Sequence, residues 1–222
     1  MTATAFASAV RPGQTAPSFR LPMADGSGSV SLTDYHGETP LLLALFIGLW
    51  CPFCRRAITQ LGLAGPQLKK SGVETLCVVA TSPENARLYF RFRPSSLRVA
   101  ADPNLTTHQA YGVPKPEVTS QLLGEMEATR INPHGMLPEA LPIPQAAAVA
   151  AQLDGYQETS ADHADMQRQW PQLKGQFLID REGIVRWNNI ECAEQGLAGV
   201  GEFPTTEAIL AAIRTTLETR PY

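Results

Sequence analysis

The sequence predicts an α/β fold in which a central mixed sheet carries helices on both faces. Three observations lead there. Unbroken apolar runs at residues 41–47 and 73–80 have the length and composition of strands buried on both sides. Each run is followed by helix-start residues, Cys51-Pro52 after the first and Ser82-Pro83-Glu84 after the second, giving a β-α-β order with a parallel core. Further on, Gln176-Phe177-Leu178-Ile179-Asp180, a turn at Arg181-Glu182-Gly183 and Ile184-Val185-Arg186-Trp187 read as a closing β-hairpin, which adds antiparallel strands to that core.

Taken in order, residues 12–37 are punctuated by Gly and Pro and form an N-terminal β extension. Within it, Ser29-Val30-Ser31-Leu32 alternates as a short strand and Leu32-Thr33-Asp34-Tyr35 reads as a helical turn. The first core strand, 41–47, leads into a helix over 52–64. Pro52 suits its first position, where no N–H is needed, and Phe53, Ala57 and Leu61 share one face. Gly65-Pro66 should end or kink that helix. A second strand at 73–80, a helix from Ser82, a short strand at 97–101 and a short helix at 106–111 follow. Residues 114–171 change character, with prolines at 114, 116, 133, 138, 142, 144 and 171. They read as one long insertion before the hairpin, helical at 145–153 and largely on the surface. A last helix over 205–218 buries Ile209, Leu210 and Ile213. The chain reads as a single domain, 1–222, interrupted by that insertion.

Composition narrows the function. A 44% hydrophobic content supports a substantial core, and a net charge of -3 argues against nucleic acid or an anionic membrane as partner. No segment approaches the roughly 18 apolar residues of a membrane-spanning helix. The first ten residues lack the basic opening and apolar block of a signal peptide. Four cysteines are too few for a disulfide scaffold, so a cytoplasmic, reducing setting is expected and any disulfide should be functional. His36, His108, His134 and His163 show no metal-ligand spacing and read as surface residues; no metal and no other cofactor is expected.

The chemistry sits in Trp50-Cys51-Pro52-Phe53-Cys54-Arg55, where a buried strand meets a helix. Two residues between the cysteines let their sulfurs meet in a disulfide. The free N–H groups and partial positive charge of a helix N-terminus stabilise a thiolate there. No carboxylate is expected beside the motif, which should lower at least one thiol below its ordinary range. Strand, Cys-x-x-Cys and helix in this order form a thioredoxin-like redox motif. A zinc site would need a second cysteine pair, and Cys77 and Cys192 stand alone. Cys77, mid-strand, reads as an inert core residue. Arg55 and Arg56 read as solvated helix residues that add positive potential at most.

With these residues in view, the chain resembles the thioredoxin-fold superfamily. Within it, the chain is similar to the peroxiredoxin-like proteins of the alkyl hydroperoxide reductase/thiol-specific antioxidant (AhpC/TSA) family. The resemblance is carried by Ala16-Pro17-Ser18-Phe19-Arg20-Leu21, by Ser31-Leu32-Thr33-Asp34-Tyr35-His36-Gly37, by Ala101-Asp102-Pro103 leading to Ala110-Tyr111-Gly112-Val113, and by 177–185. It implies a thioredoxin-like fold and a thiol-based oxidoreductase cycling Cys51 and Cys54. Laid over that family's P-x-x-x-T-x-x-C, Cys54 takes the peroxide-attacking position, Cys51 replaces the Thr and Ile47 the Pro. Lys174 takes the place of the activating Arg. Against the thioredoxin pattern, Leu45 stands where a buried Asp is usual, and Lys174-Gly175-Gln176 contains no proline.

Two mechanisms follow from the resemblance. As a peroxiredoxin-like thiol peroxidase, the leading expectation, Cys54 attacks peroxide and Cys51 condenses with it. As a thioredoxin-like exchanger, the alternative, Cys51 attacks a disulfide and Cys54 resolves. A non-catalytic binding or metal-binding protein on the same fold is the third reading. Trp50, Pro52 and Lys174 support the pair in the first two. Cys192, brought back by the hairpin toward the redox edge, is a candidate second resolving thiol. The partners expected are a peroxide or disulfide substrate and an external thiol donor such as a thioredoxin system; a homodimer is one assembly the resemblance allows.

Overall fold

A computed structural model describes residues 9–217. A two-stranded ribbon, β1 (Arg20–Pro22) and β2 (Ser29–Ser31), precedes β3 (Leu41–Phe46), α1 (Pro52–Lys70), β4 (Glu74–Val79), α2 (Pro83–Phe92), β5 (Arg98–Ala101) and α3 (Thr106–Ala110). Then come α4 (Ser120–Ala128), β6 (Arg130–Ile131), β7 (Leu141–Pro142), α5 (Ile143–Asp154) and α6 (Ser160–Gln169). β8 (Gly175–Ile179), β9 (Val185–Ile190) and α7 (Thr206–Leu217) close the chain. The main sheet runs β5-β4-β3-β8-β9, with β3, β4 and β5 parallel and β8 and β9 antiparallel. No helix among the described residues is long and apolar enough to cross a membrane.

The sheet divides the core by strand parity. In β3, Leu42, Ala44 and Phe46 pack into one apolar cluster, and Leu41, Leu43 and Leu45 into the other. Side chains alternate faces along a strand, and both faces are covered, so the whole run is apolar. Register then fixes what meets at the carboxyl end of β3. Leu45 pairs with Gly175, and Gly175 with Ile190, so the start of β8 and the end of β9 lie beside the segment that leads to Cys51.

Three expectations are corrected. First, α1 does not stop at Gly65-Pro66 but runs on to Lys70 with Pro66 inside it. A helical proline frees the carbonyl four residues back. Here that carbonyl, on Gly62, accepts a hydrogen bond from Ser96 Oγ at 3.2 Å, and the Pro66 ring faces solvent. Second, the 114–171 segment is more than a surface elaboration. Ile131, Leu137, Ile143, Ala146 and Ala150 join the cluster that packs on α1. Its helix α6 buries polar groups: Asp165 accepts from Thr81 Oγ1, while Asp162 accepts from Asn85 Nδ2 at 3.2 Å and Tyr156 OH at 2.6 Å. Third, His108 is no surface residue. It is wholly buried on α3, with no hydrogen-bond partner at either ring nitrogen.

That burial makes a pH prediction. Desolvation pushes the His108 imidazole down from its usual 6.5 to about 4, against a smaller upward pull from Asp102. Below pH 6.5 the unfolded chain takes up this proton and the folded one does not. Stability therefore falls with pH between 6.5 and 4, by about 2 kcal/mol at pH 5 from this residue. Urea midpoints at pH 7 and pH 5 should separate in the native protein and draw together in His108→Leu. Equal pH dependence in both proteins would contradict this.

Candidate functional site

Cys51 ends the loop after β3 and caps α1, and Pro52 occupies the first helical turn. The cap sulfur accepts the Cys54 N–H at 3.2 Å, one of the donors a helix start leaves unpaired. Cys51 is 6% exposed and Cys54 not at all. Their thiols are driven apart. Burial pushes Cys51 up, but the Cys54 thiol hydrogen bond, the Lys174 charge and the Cys54 N–H together outweigh it and leave Cys51 below the ordinary thiol range. Burial raises Cys54 well above that range, and donating to Cys51 and facing its negative charge raise it further. The arrangement favours a thiolate at Cys51 and a protonated thiol at Cys54.

Lys174, expected near the redox pair, is joined there by a carboxylate that the sequence reading did not name, Glu191. Lys174, 1% exposed, immediately precedes β8, and Glu191 immediately follows β9. The ladder continues one step past both strands, since the Glu191 N–H donates to the Lys174 carbonyl at 3.1 Å. The Lys174 ammonium lies 2.8 Å from Glu191 Oε1. Glu191 also accepts the Gly201 N–H on Oε1 at 2.9 Å and the Lys174 N–H on Oε2 at 3.2 Å. Burial pulls the Lys174 pKa down, yet Glu191 and the two thiols hold it above the usual lysine range. The expectation of no carboxylate beside the motif is thus corrected. Glu191 lines the same cavity as Cys51, and its charge opposes part of the stabilisation that Lys174 gives the two thiols. A hint was available in the hairpin: Glu191 is the acid that ends its return strand, one residue before the cysteine singled out there.

The 114–171 segment encloses this pair. Gln169, at the end of α6, accepts the Gly48 N–H at 2.7 Å and Trp50 Nε1 at 2.9 Å on its Oε1, and its Nε2 donates to the Ala80 carbonyl. Trp50 is therefore tied to the insertion rather than presented freely. Arg55 is corrected from solvated to buried: its Nε meets Asp154 Oδ2 at 2.6 Å, and its Nη1 donates to the Leu49 and Trp50 carbonyls at 2.6 and 3.0 Å. Its guanidinium lies 4.4 Å from the centre of the Tyr156 ring. Arg56, its neighbour, is exposed. Over Cys51 opens a cavity of about 250 Å³ walled by Trp50, Phe53, Met126, Ile143, Trp170 and Leu197, and Glu191 supplies the single charged side chain in its lining. Pro171, joined to Trp170 by a cis peptide bond, lines the same cavity, three residues before Lys174.

The other two cysteines lie elsewhere. Cys77 is sealed in β4, and burial alone raises its thiol. Cys192 follows Glu191 with φ +65 and packs in the apolar cluster on the opposite face from Cys51 and Cys54. The hairpin does return to the redox edge as expected, but Glu191, which continues the ladder past β9, shares the cavity lining with Cys51, whereas Cys192, in a left-handed turn, packs on the other face. Burial raises the Cys192 thiol too. Among the described residues no group of three or more His, Cys, Asp and Glu side chains forms a metal-binding cluster.

The chain is 30% identical over 131 residues to the thiol-disulfide oxidoreductase ResA of Halalkalibacterium halodurans, a match over 58% of this chain and 72% of that one. Among solved structures, the reduced 2-Cys peroxiredoxin of Plasmodium vivax superposes with a TM-score of 0.59 at 16% identity, over 95% of this chain and 99% of that one. Peroxidoxin BcpB of Mycobacterium tuberculosis superposes with 0.57 at 13% identity, over 96% and 99%. These structural likenesses carry the thioredoxin-like fold. The model of the AhpC/TSA family matches residues 12–188. Since the family match spans residues 12–188 and contains the Cys-x-x-Cys at the strand-to-helix junction, the chain belongs to the AhpC/TSA family and is a thiol-dependent oxidoreductase.

Proposed function

We propose that the protein is a thiol-disulfide oxidoreductase in which Cys51 attacks and Cys54 resolves. The observation that carries this reading is the placing of the two thiols: Cys51 caps α1 and faces the cavity, while Cys54 is sealed one turn behind it. The thiolate is the nucleophile in exchange, so the lowered thiol goes first. The Cys51 thiolate attacks one sulfur of a substrate disulfide, forms a mixed disulfide and expels the other half as a thiolate. Cys54 then gives up its proton and attacks the Cys51 sulfur. The Cys51–Cys54 disulfide forms and the second substrate thiol leaves. An external dithiol, such as a thioredoxin system, returns the two electrons, and a cytoplasmic setting belongs to this proposal. The likeness to a thiol-disulfide oxidoreductase supports it.

A second reading rests on the cavity. Its small apolar volume over a 6% exposed sulfur suits a compact hydroperoxide, which would oxidise Cys51 to a sulfenic acid and release an alcohol. Cys54 would then expel water to give the same disulfide. Peroxide attack by Cys54 itself is disfavoured, because that thiol is the buried, protonated one.

The test is single-turnover oxidation of the reduced protein by a small disulfide, by hydrogen peroxide and by an apolar hydroperoxide, each as a function of pH. Disulfide is expected to react fastest, with a midpoint below the ordinary thiol value of about 8.5. Rapid oxidation by either peroxide with a sluggish disulfide reaction would transfer the assignment to the second reading.

A further inference from the structure

We infer that Glu191 is a positioning residue that holds Lys174 beside the Cys51–Cys54 site and makes that pair a stronger reductant than Lys174 alone would allow. The inference rests on the assignment of Cys51 and Cys54 as the redox pair.

The geometry is that of a held charge. Glu191 is pinned by the Gly201 and Lys174 backbone N–H groups and by the ammonium at 2.8 Å. Lys174 is buried, and its amine makes no well-aligned hydrogen bond; its contact is with the Glu191 carboxylate. The ionisable groups that act most strongly on the sulfurs are the thiols themselves at the start of α1, Lys174 just before β8 and Glu191 just after β9, and Glu191 shares a cavity lining with Cys51. Cys192 feels the same pair from the opposite face of the sheet.

The consequence follows from counting charge through one redox cycle. In the reduced state the site holds a Cys51 thiolate, the Lys174 ammonium and the Glu191 carboxylate, a net charge of minus one. Oxidation joins the two sulfurs, releases the Cys54 proton and passes two electrons to the substrate. The site is left with the Lys174–Glu191 pair, net zero. Lys174 stabilises the thiolate and so the reduced state. Glu191 repels that thiolate across a low-dielectric interior and draws the ammonium to itself. It therefore raises the energy of the reduced state but leaves the disulfide state paired. A buried carboxylate without the ammonium would take up a proton, and a buried ammonium without the carboxylate would be committed to the thiolate. The pair works as a unit whose net effect on Cys51 is smaller than that of the lysine alone.

The experiment equilibrates the full-length protein with reduced and oxidised glutathione, and titrates Cys51 alkylation against pH, for the native protein, Glu191→Gln and Glu191→Gln/Lys174→Met. In Glu191→Gln the thiolate midpoint should fall and the equilibrium constant should shift about tenfold toward the dithiol, which is ~30 mV for a two-electron couple. The double variant should return both quantities toward the native values, because it removes the attraction together with the repulsion. It also removes the buried pair whole, which proteins tolerate better than half a pair, so it reports even where Glu191→Gln folds poorly. There, a double variant within about twofold of the native protein supports the inference. A Glu191→Gln protein with native midpoint and native equilibrium constant overturns it, as does a double variant that departs further from native than the single one. If the native protein forms no Cys51–Cys54 disulfide in any glutathione buffer, the assignment of the redox pair itself has failed, which is a separate result.

Discussion

Cys51→Ser is expected to lower disulfide turnover by roughly three orders of magnitude or more, the scale seen when a nucleophile is removed. A serine hydroxyl at the cap of α1 keeps the fold, since it accepts the Cys54 N–H as the sulfur does, but it does not ionise near neutral pH. Cys54→Ala should behave differently. The first attack survives, the second step has no thiol, and the protein stalls as a mixed disulfide at Cys51 visible by intact mass. The same variant removes the thiol hydrogen bond that helps hold Cys51 down, so the Cys51 alkylation midpoint should rise. Activity that survives Cys51→Ser but not Cys54→Ala would invert the assignment and restore Cys54 as the attacking thiol.

Arg55→Met is expected to destabilise the protein by about 3 kcal/mol, because it leaves the Leu49 and Trp50 carbonyls without their donor in a buried site. The loss of the Asp154 contact adds little, since that carboxylate is 32% exposed and solvent takes over its partner's role. Methionine fills much of the stem volume, so the loss reads the polar contacts rather than a cavity. Arg56→Met, one residue on and in solvent, should stay within about 0.5 kcal/mol of native. Denaturant midpoints of the two variants decide it; equal midpoints would mean that the guanidinium does not hold the loop. Because Arg55 ties α1 and the loop before Cys51 to Asp154 and Tyr156 of the insertion, its loss should also speed Cys51 alkylation by opening the roof of the cavity.

Much of the fold was legible because it is local. The strand run at 41–47 exceeds β3 by one residue at one end and that at 73–80 exceeds β4 by one residue at each end, and Pro52 marks the start of α1 as its chemistry requires. The thiol pair was equally legible, because two residues between cysteines at a helix start fix their relation wherever the helix goes. Local rules failed where a distant residue compensates. Pro66 does not end α1 because Ser96, thirty residues on, takes the freed carbonyl. Nothing near His108 in the sequence foretells its burial on α3.

The sequence by itself determined the order of the core elements, the parallel core and the thiol pair, since periodicity, helix capping and cysteine spacing act over a few residues. The tertiary structure alone decided which charges face that pair. Lys174 and Glu191 are 17 residues apart and meet because β8 and β9 pair in a register that carries one step past both strands. Cys192, one residue on, leaves the ladder with φ +65 and packs on the opposite face. Likewise, only packing decided that Arg55 turns inward while Arg56 meets water, and that Gln169, 121 residues from Gly48, closes the loop before the cysteines. Hydrogen bonds and ion pairs between remote segments are chosen by the way the surfaces dock, and that choice is not written in any short stretch of the chain.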